Sequence, residues 1–208
     1  MLKINSSHHN ESWNDLLADS IVTADALSDF LPIDQKIIKQ VTHKYPMRIN
    51  PYFLSLLQKP DDPMWKQVVP DIAELDQEIF LKPDPLCEEP QSPVPNLIHR
   101  YPDRVVFMVS NQCALYCRHC MRKRRFGQEK QVSESDVDQA IAYIRSNLTI
   151  RDVILSGGDP LMLSNDRLEK ILSQIHQIPH VEMIRIHTRI PCVLPRRIDK
   201  SLGDMLKQ

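Results

Sequence analysis

The sequence predicts an α/β fold in which an N-terminal helical segment leads into a parallel sheet. Three observations carry this reading. Between residues 104 and 188, short β-branched apolar runs alternate with amphipathic stretches of helical length. Before residue 80 the apolar positions recur at helical spacing instead. Between these regions lies a stretch dense in proline, which separates them. At 208 residues and 42% apolar side chains, the chain can bury a substantial core.

Taken in order, "NESWNDLLADSI", "TADALSDFL" and "DQKIIKQVTHKY" place apolar residues behind Ser, Asn, Thr or Asp caps, so residues 1–82 read as short helices. His8 and His9 belong to an irregular terminus. Residues 83–103 form a connection in which Pro83, Pro85, Pro90, Pro93, Pro95 and Pro102 exclude regular structure. From residue 104 to 208 the period changes. Strands are expected at Arg104–Ser110, Arg151–Gly157 and Val181–Thr188. The intervening "SESDVDQAIAYIRSNL" and "SNDRLEKILSQIHQI" read as helices opened by a Ser cap with an acid in the first turn. Strands alternating with such helices imply right-handed crossovers and a parallel sheet, whose function collects at the loops after the strand C-termini.

A net charge of −1, with 26 basic and 27 acidic residues, argues against nucleic acid or an anionic membrane as the main partner. No apolar run reaches a membrane-spanning length, and the N-terminus lacks an apolar signal core, so a cytoplasmic location is expected. In a reducing compartment, clustered thiols are metal ligands rather than disulfides. Three of the five cysteines, Cys113, Cys117 and Cys120, crowd into the loop after the first strand. Three soft sulfur ligands suit an iron–sulfur cluster or zinc. Zinc normally needs a fourth protein ligand, which His119 or a distant residue would have to supply, whereas a cubane on three cysteines keeps one iron open. Cys87 and Cys192 stand alone and read as buried or incidental thiols.

The spacing Cys113-x3-Cys117-x2-Cys120 resembles that of the radical S-adenosylmethionine (radical SAM) enzymes. The flanking "SPVPNLIHRYPDRVVFMVSNQCALYCRHCMRKRRFGQ", "VILSGGDPLM" and "RIHTRIPCVLPRRI" look like the lysine 2,3-aminomutase family, including its relatives that isomerise a lysine destined for a translation elongation factor. The likeness runs from about "FLKPDPLCEEP" to the end of "PRRI", roughly the second half of the chain, with a looser helical likeness before it. It implies the first half of a partial (βα)6 TIM-like barrel, about three βα units, after the helical segment.

The resemblance also implies a [4Fe–4S] cluster on Cys113, Cys117 and Cys120, reductive cleavage of S-adenosylmethionine, and a 5′-deoxyadenosyl radical that starts a pyridoxal phosphate-assisted 1,2-amino shift on an amino acid such as lysine. On the matching positions, His119 meets the adenine, and Ser156, Gly157, Gly158 and Asp159 receive the methionine end. Arg122 takes the substrate carboxylate, a bidentate task that suits guanidinium. Arg104 and Arg100 match cations near pyridoxal phosphate. Two glycines after a strand independently permit close backbone approach, and the adjacent carboxylate can accept from an ammonium. His187 and Arg189 line the site or satisfy its polar rim. Where the family carries a threonine followed by arginines, this chain has Met121 and Lys123, departures that bear on substrate identity rather than on the cluster.

No lysine occupies the position of the family's imine lysine, and the chain looks cut after three βα units, leaving an open sheet edge and an uncovered face. Implied partners are the small amino-acid substrate, an electron donor such as flavodoxin or ferredoxin, and either the missing half-barrel or a second copy. The competing readings are a radical SAM enzyme without pyridoxal phosphate and a non-catalytic iron–sulfur or zinc-binding fragment.

Overall fold

The computed structural model describes residues 12–76, 82–125, 127 and 131–207; His8 and His9 lie outside them. The chain divides into two compact units, neither of them one continuous stretch. The first comprises Met1–Pro83, Ala114–Gly127 and Cys192–Arg196, and the second Asp84–Cys113, Gln128–Pro191 and Arg197–Gln208. Among the described residues, no helix is long and apolar enough to cross a membrane.

The first unit is built from the short helices α1 (Trp13–Ala18), α2 (Ala24–Ser28), α3 (Gln35–Lys44), α4 (Pro51–Ser55) and α5 (Trp65–Val68). Side-chain caps start four of them: Ser12, Thr23, Asp34 and Asn50 accept from first-turn amides that would otherwise lack a partner. Leu16, Leu27, Ile38, Val41, Met47, Ile49, Phe53 and Val68 form its apolar interior. Asn50 is fully buried at 0% exposure and joins three separate segments. Its Oδ1 accepts from Phe53 N at 2.9 Å, while Nδ2 donates to the carbonyls of Ala114 at 3.1 Å and Val193 at 2.9 Å. Every polar atom of the amide is thereby used inside a dry core.

The second unit is a four-stranded mixed sheet in the order β1 (Leu97–Tyr101), β2 (Arg104–Ser110), β3 (Asp152–Gly157) and β4 (Met183–Ile186). Strands β2, β3 and β4 are parallel, in the alternation expected, with α6 (Glu134–Ser146) after β2 and α7 (Asn165–His176) after β3. Helix α6 buries Val137, Ala140, Ile141 and Ile144, and α7 buries Leu168, Ile171 and Ile175. After β4 come the short helices α8 (Ile190–Val193) and α9 (Lys200–Met205).

Strand β1 departs from the expectation that the prolines between 83 and 103 exclude regular structure. It pairs antiparallel with β2, Leu97 opposite Phe107 and Ile98 opposite Val106. The physical reason is local: "LIHRY" contains no proline, Asn96 makes the entry turn with φ 61°, and Pro102 falls in the tight turn to β2. His99 Nδ1 lies 2.8 Å from the Tyr143 hydroxyl and ties this edge strand to α6. Strand β4 is shorter than expected, because Val181 N turns back to Ile178 O at 3.1 Å before pairing begins.

The Asn50 junction yields the first prediction. Asn50→Ala removes a helix cap and strands two buried carbonyls, lowering stability by about 2–4 kcal/mol in urea unfolding. Asn50→Asp keeps the cap but turns a carboxylate on the same carbonyls, so it destabilises at least as much at neutral pH.

Candidate functional site

The cysteine loop leaves the C-terminal end of β2, and the boundary between the two units falls between Cys113 and Ala114. Within the first unit, segment 114–123 is held at several points. Asn50 grips the Ala114 carbonyl, Tyr116 N donates to Arg48 O at 3.0 Å, and Arg118 N donates to Gln67 O at 2.8 Å. The strongest hold is the Arg118 side chain, which lies between two cysteines in sequence and is itself buried. Its Nε and Nη2 form a fork on the Glu74 carboxylate at 2.9 and 2.7 Å. Nη1 donates to Pro46 O at 2.9 Å, and Nη2 also to Tyr45 O at 3.1 Å. A guanidinium out of water is tolerated only when its donors are met in this way.

Glu74 sits in a short 3₁₀ turn, Ile72–Leu75, where its own carboxylate accepts from Asp71 N in a capping box. Lys123 Nζ reaches the same carboxylate at 2.8 Å and lies 5.0 Å from the centre of the Tyr45 ring. Lys123, one of the two departures from the family pattern, thus belongs to this anchor. Burial pushes Glu74 upward, but the hydrogen bonds from Arg118 and Lys123 outweigh it and hold the carboxyl below its ordinary value of 4.5.

Cys117 and Cys120 are half-buried, with Cys120 N turned onto Cys117 O at 3.0 Å. The Arg122 backbone N–H points at Cys120 Sγ at 3.4 Å. His119 is exposed and lines a cavity of about 300 Å³ with Trp65, Val69, Asp71, Glu74 and Arg118. Met121 is exposed.

In the second unit, the strand ends leading to Cys113 and Ser156 are locked together. Gly158 N donates to Ser110 O at 2.6 Å, and Asp159 N to Gln112 O at 2.7 Å. Gly157 has φ +127°, and a Cβ there would lie 2.2 Å from Ser110 O; one on Gly158 would lie 2.2 Å from Gln112 O. The double glycine is therefore the seat on which the start of the cysteine loop rests. Asp159 is buried, and both of its oxygens are engaged. Oδ1 accepts from Leu161 N at 3.0 Å and Thr188 Oγ1 at 2.7 Å, and Oδ2 from Arg189 N at 2.8 Å. Burial raises its carboxyl above the ordinary 3.8 against the pull of those donors. Arg189 thus meets this network through its backbone, and His187 is exposed. Arg197, 1% exposed, reinforces the same loop through Leu161 O, Leu163 O and Asn165 Oδ1 at 2.8, 3.0 and 2.7 Å.

Arg104 stands at the other end of the sheet. It opens β2 beside Asp152, which opens β3, and its Nε donates to Asp152 at 2.8 Å; Arg185 of β4 binds the same carboxylate. Arg100 lies on β1 near that end, its guanidinium 5.8 Å from the centre of the Tyr101 ring. The sheet thus separates these two arginines from the Ser110–Gly157 end. Cys87 and Cys192 are exposed, which leaves the incidental of the two readings offered for them.

None of the five cysteines is in a disulfide. Among the described residues, no three His, Cys, Asp or Glu side chains form the shell of a single metal ion. A cubane does not require one, since each thiolate binds a different iron. Three thiols with a backbone donor on one sulfur fit such a cluster by their chemistry. For pyridoxal phosphate the fit is incomplete: Arg104, one of the two arginines that the resemblance assigns to it, is engaged by Asp152. Arg118, Glu74, Asn50 and Arg197 escaped the sequence reading. A lone arginine inside a cysteine motif, with its partner 44 residues away, carries no periodic signal.

Residues 107–206 match the model of the radical SAM superfamily. The chain is 45% identical over 99% of its length to an L-lysine 2,3-aminomutase of Methanococcus maripaludis. It is 42% identical over 95% to that of Acetoanaerobium sticklandii, and 40% identical over 95% to a glutamate 2,3-aminomutase of Clostridioides difficile. The likeness therefore extends well beyond the second half, where the motifs lie. It covers 50%, 50% and 49% of those relatives, so the chain spans about half their length.

Two predictions test the loop anchor. Arg118→Met leaves Glu74 buried with only Lys123 to answer it and costs about 3–5 kcal/mol in denaturant unfolding. Arg118→Lys, unable to form the fork, recovers only part of that loss. The second prediction concerns pH. Because the Glu74 carboxyl titrates lower in the folded than in the unfolded chain, its stabilisation is full above 4.5 and is lost as pH falls through the depressed folded value. Asp159, raised from 3.8, works in the opposite sense, stabilising at low pH and losing that contribution as pH rises. The difference in stability between the parent and Glu74→Gln should therefore shrink on acidification below 4.5, as measured by thermal or urea unfolding at several pH values.

Proposed function

The chain belongs to the radical SAM superfamily, and from that premise we propose that it carries the cluster-binding part of an aminomutase-type isomerase acting on a small amino acid of the lysine or glutamate class. The observation that carries the proposal is the cysteine triplet itself: three thiols outside any disulfide, on the loop after β2, with the last two fixed by a buried arginine fork. In this reading Cys113, Cys117 and Cys120 hold a [4Fe–4S] cluster, and Ser156, Gly157 and Gly158 receive S-adenosylmethionine. When bound, the two together supply the one-electron chemistry that begins an amino shift.

The chain's own residues have separable tasks in this proposal. Arg118 and Glu74 keep Cys117 and Cys120 in place, and the Arg122 amide donates to the Cys120 sulfur. The Arg122 guanidinium holds a substrate carboxylate. His119 and Trp65 offer planar faces to an adenine from the cavity they share. Asp159 acts from behind, fixing the turn that follows the glycines. Pyridoxal phosphate belongs to the reading through the family alone. The sheet of this chain forms the first βα units of a partial barrel, and an electron donor such as flavodoxin or ferredoxin supplies the reducing electron. The cytoplasm, whose reducing conditions keep clustered thiols available, is the compartment that suits this chemistry.

Anaerobic reconstitution with iron and sulfide tests the proposal. About four irons per chain are expected, with a brown, oxygen-sensitive chromophore and an EPR signal that changes when S-adenosylmethionine is added. Cys117→Ala should abolish iron retention. Colourless protein carrying zinc would favour the zinc-binding fragment, and a cluster indifferent to S-adenosylmethionine would favour the non-catalytic iron–sulfur fragment.

A further inference from the structure

Positive charge crowds around Cys117 and Cys120. In a chain with 26 basic and 27 acidic residues, segment 114–127 carries Arg118, Arg122, Lys123, Arg124 and Arg125 and no acidic residue. The last three form the 3₁₀ turn Lys123–Arg125, directly after Arg122. The first unit adds another cation from elsewhere in the chain. Lys44, exposed in the last turn of α3, lies 5.1 Å from the centre of the Tyr45 ring, and Lys123 lies 5.0 Å from the same centre. Glu74 is set among them, but Arg118 and Lys123 already share it. Arg122, Arg124 and Arg125 are half-buried and each has a partner, so the feature is the charge of the surface and not a free cation. Arg124 is fixed to backbone, its Nη1 donating to Met121 O at 3.3 Å and Pro83 O at 3.4 Å. Met121, 59% exposed, sets an apolar side chain beside the turn.

We propose that this face, the turn Lys123–Arg125 with Lys44 and Met121, is the docking surface for an acidic protein that carries one electron. The inference rests on the cluster reading above and gives its electron donor a place on the chain. Position supports it. Arg122 N donates to Cys120 Sγ, so the cationic turn is joined directly to a cysteine of the proposed cluster, and a carrier held there stands next to the metal centre. Charge and composition agree. Electron-transfer complexes bury little area, below about 1,200 Å², and are steered together by opposite charge. Arginine, methionine and tyrosine, all present here, are the residues that interfaces favour. Nucleic acid shares the need for positive charge but fits less well. Its unpaired bases stack on open aromatic faces, whereas Tyr45 is half-buried with two ammonium groups over its ring. In the complex one electron passes from the reduced carrier, which is oxidised by that electron, to the cluster, which is reduced by it. No bond forms or breaks in the transfer.

The test uses the whole chain, metal-free and after anaerobic iron loading, with an acidic flavodoxin carrying oxidised FMN as the probe. Biolayer interferometry should show one-to-one binding by both forms, weakening about tenfold as salt rises from about 20 to about 200 mM. Lys44→Glu, a change in an exposed side chain, should weaken binding about tenfold, and so should Arg124→Glu. Lys36→Glu makes the same change of charge in the first turn of α3 and should leave binding within about twofold of the parent. Circular dichroism should match the parent throughout. If Arg124→Glu unfolds the turn, Lys44→Glu decides alone. In the loaded chain, reduction of the cluster by limiting flavodoxin hydroquinone should slow about tenfold in Lys44→Glu, while reduction by dithionite keeps the parent rate. The proposal is overturned if neither form binds flavodoxin, if binding ignores salt, or if Lys36→Glu and Lys44→Glu weaken it equally. Tighter binding of a single-stranded DNA of about 20 nucleotides, with displacement of flavodoxin, overturns it too. A chain that binds flavodoxin through Lys44 yet takes up no iron supports this surface and counts against the proposed function.

Discussion

A buried guanidinium organises the first unit. Arg118 enters the interior between two cysteines, and the carboxylate it meets there belongs to a turn 44 residues earlier in the chain. Neither charge is tolerable in a dry interior without the other, so the fork fixes the two segments against each other more stringently than apolar packing could. Packing accepts small slides, whereas a bidentate pair does not. The carbonyls of Tyr45 and Pro46 take the remaining donors, which ties the end of α3 into the same knot. The N-terminal helices, which offer no motif of their own, therefore act as the mould in which two of the three cysteines are set.

The second unit solves a related problem without charge. Two peptide groups, Ser110 and Gln112, are pressed against the turn after β3 so closely that neither Gly157 nor Gly158 can carry a side chain. Asp159 and Arg197 then stiffen that turn from beneath, one accepting and one donating, both largely removed from water. The loop that starts from this seat and ends in the arginine fork is constrained at each end by a different physical device.

Much of this was legible in the sequence. Strands β2 and β3, helices α6 and α7 and the capped N-terminal helices announce themselves because periodicity and caps are local properties. Strand β1 did not, since proline counting averages over a window in which "LIHRY" happens to be clear. The cysteine triplet was visible as spacing, and the glycines as the residues that allow close approach. The roles of Asp159 and Arg104 read differently in three dimensions, because a motif gives a residue's type but not its hydrogen-bond partners. Arg118 and Asn50 were invisible for a deeper reason: their partners lie far away in the chain, and long-range pairing leaves no trace in local composition.

The Asn50 junction also has a consequence for how the chain comes off the ribosome. One amide bridges Ala114 and Val193, the latter 143 positions downstream, so the first unit cannot close until Val193 has emerged. A helical segment made early must wait, its apolar faces exposed, while the sheet is synthesised after it. A contact of such long sequence separation carries a loop-closure cost and delays the closing step.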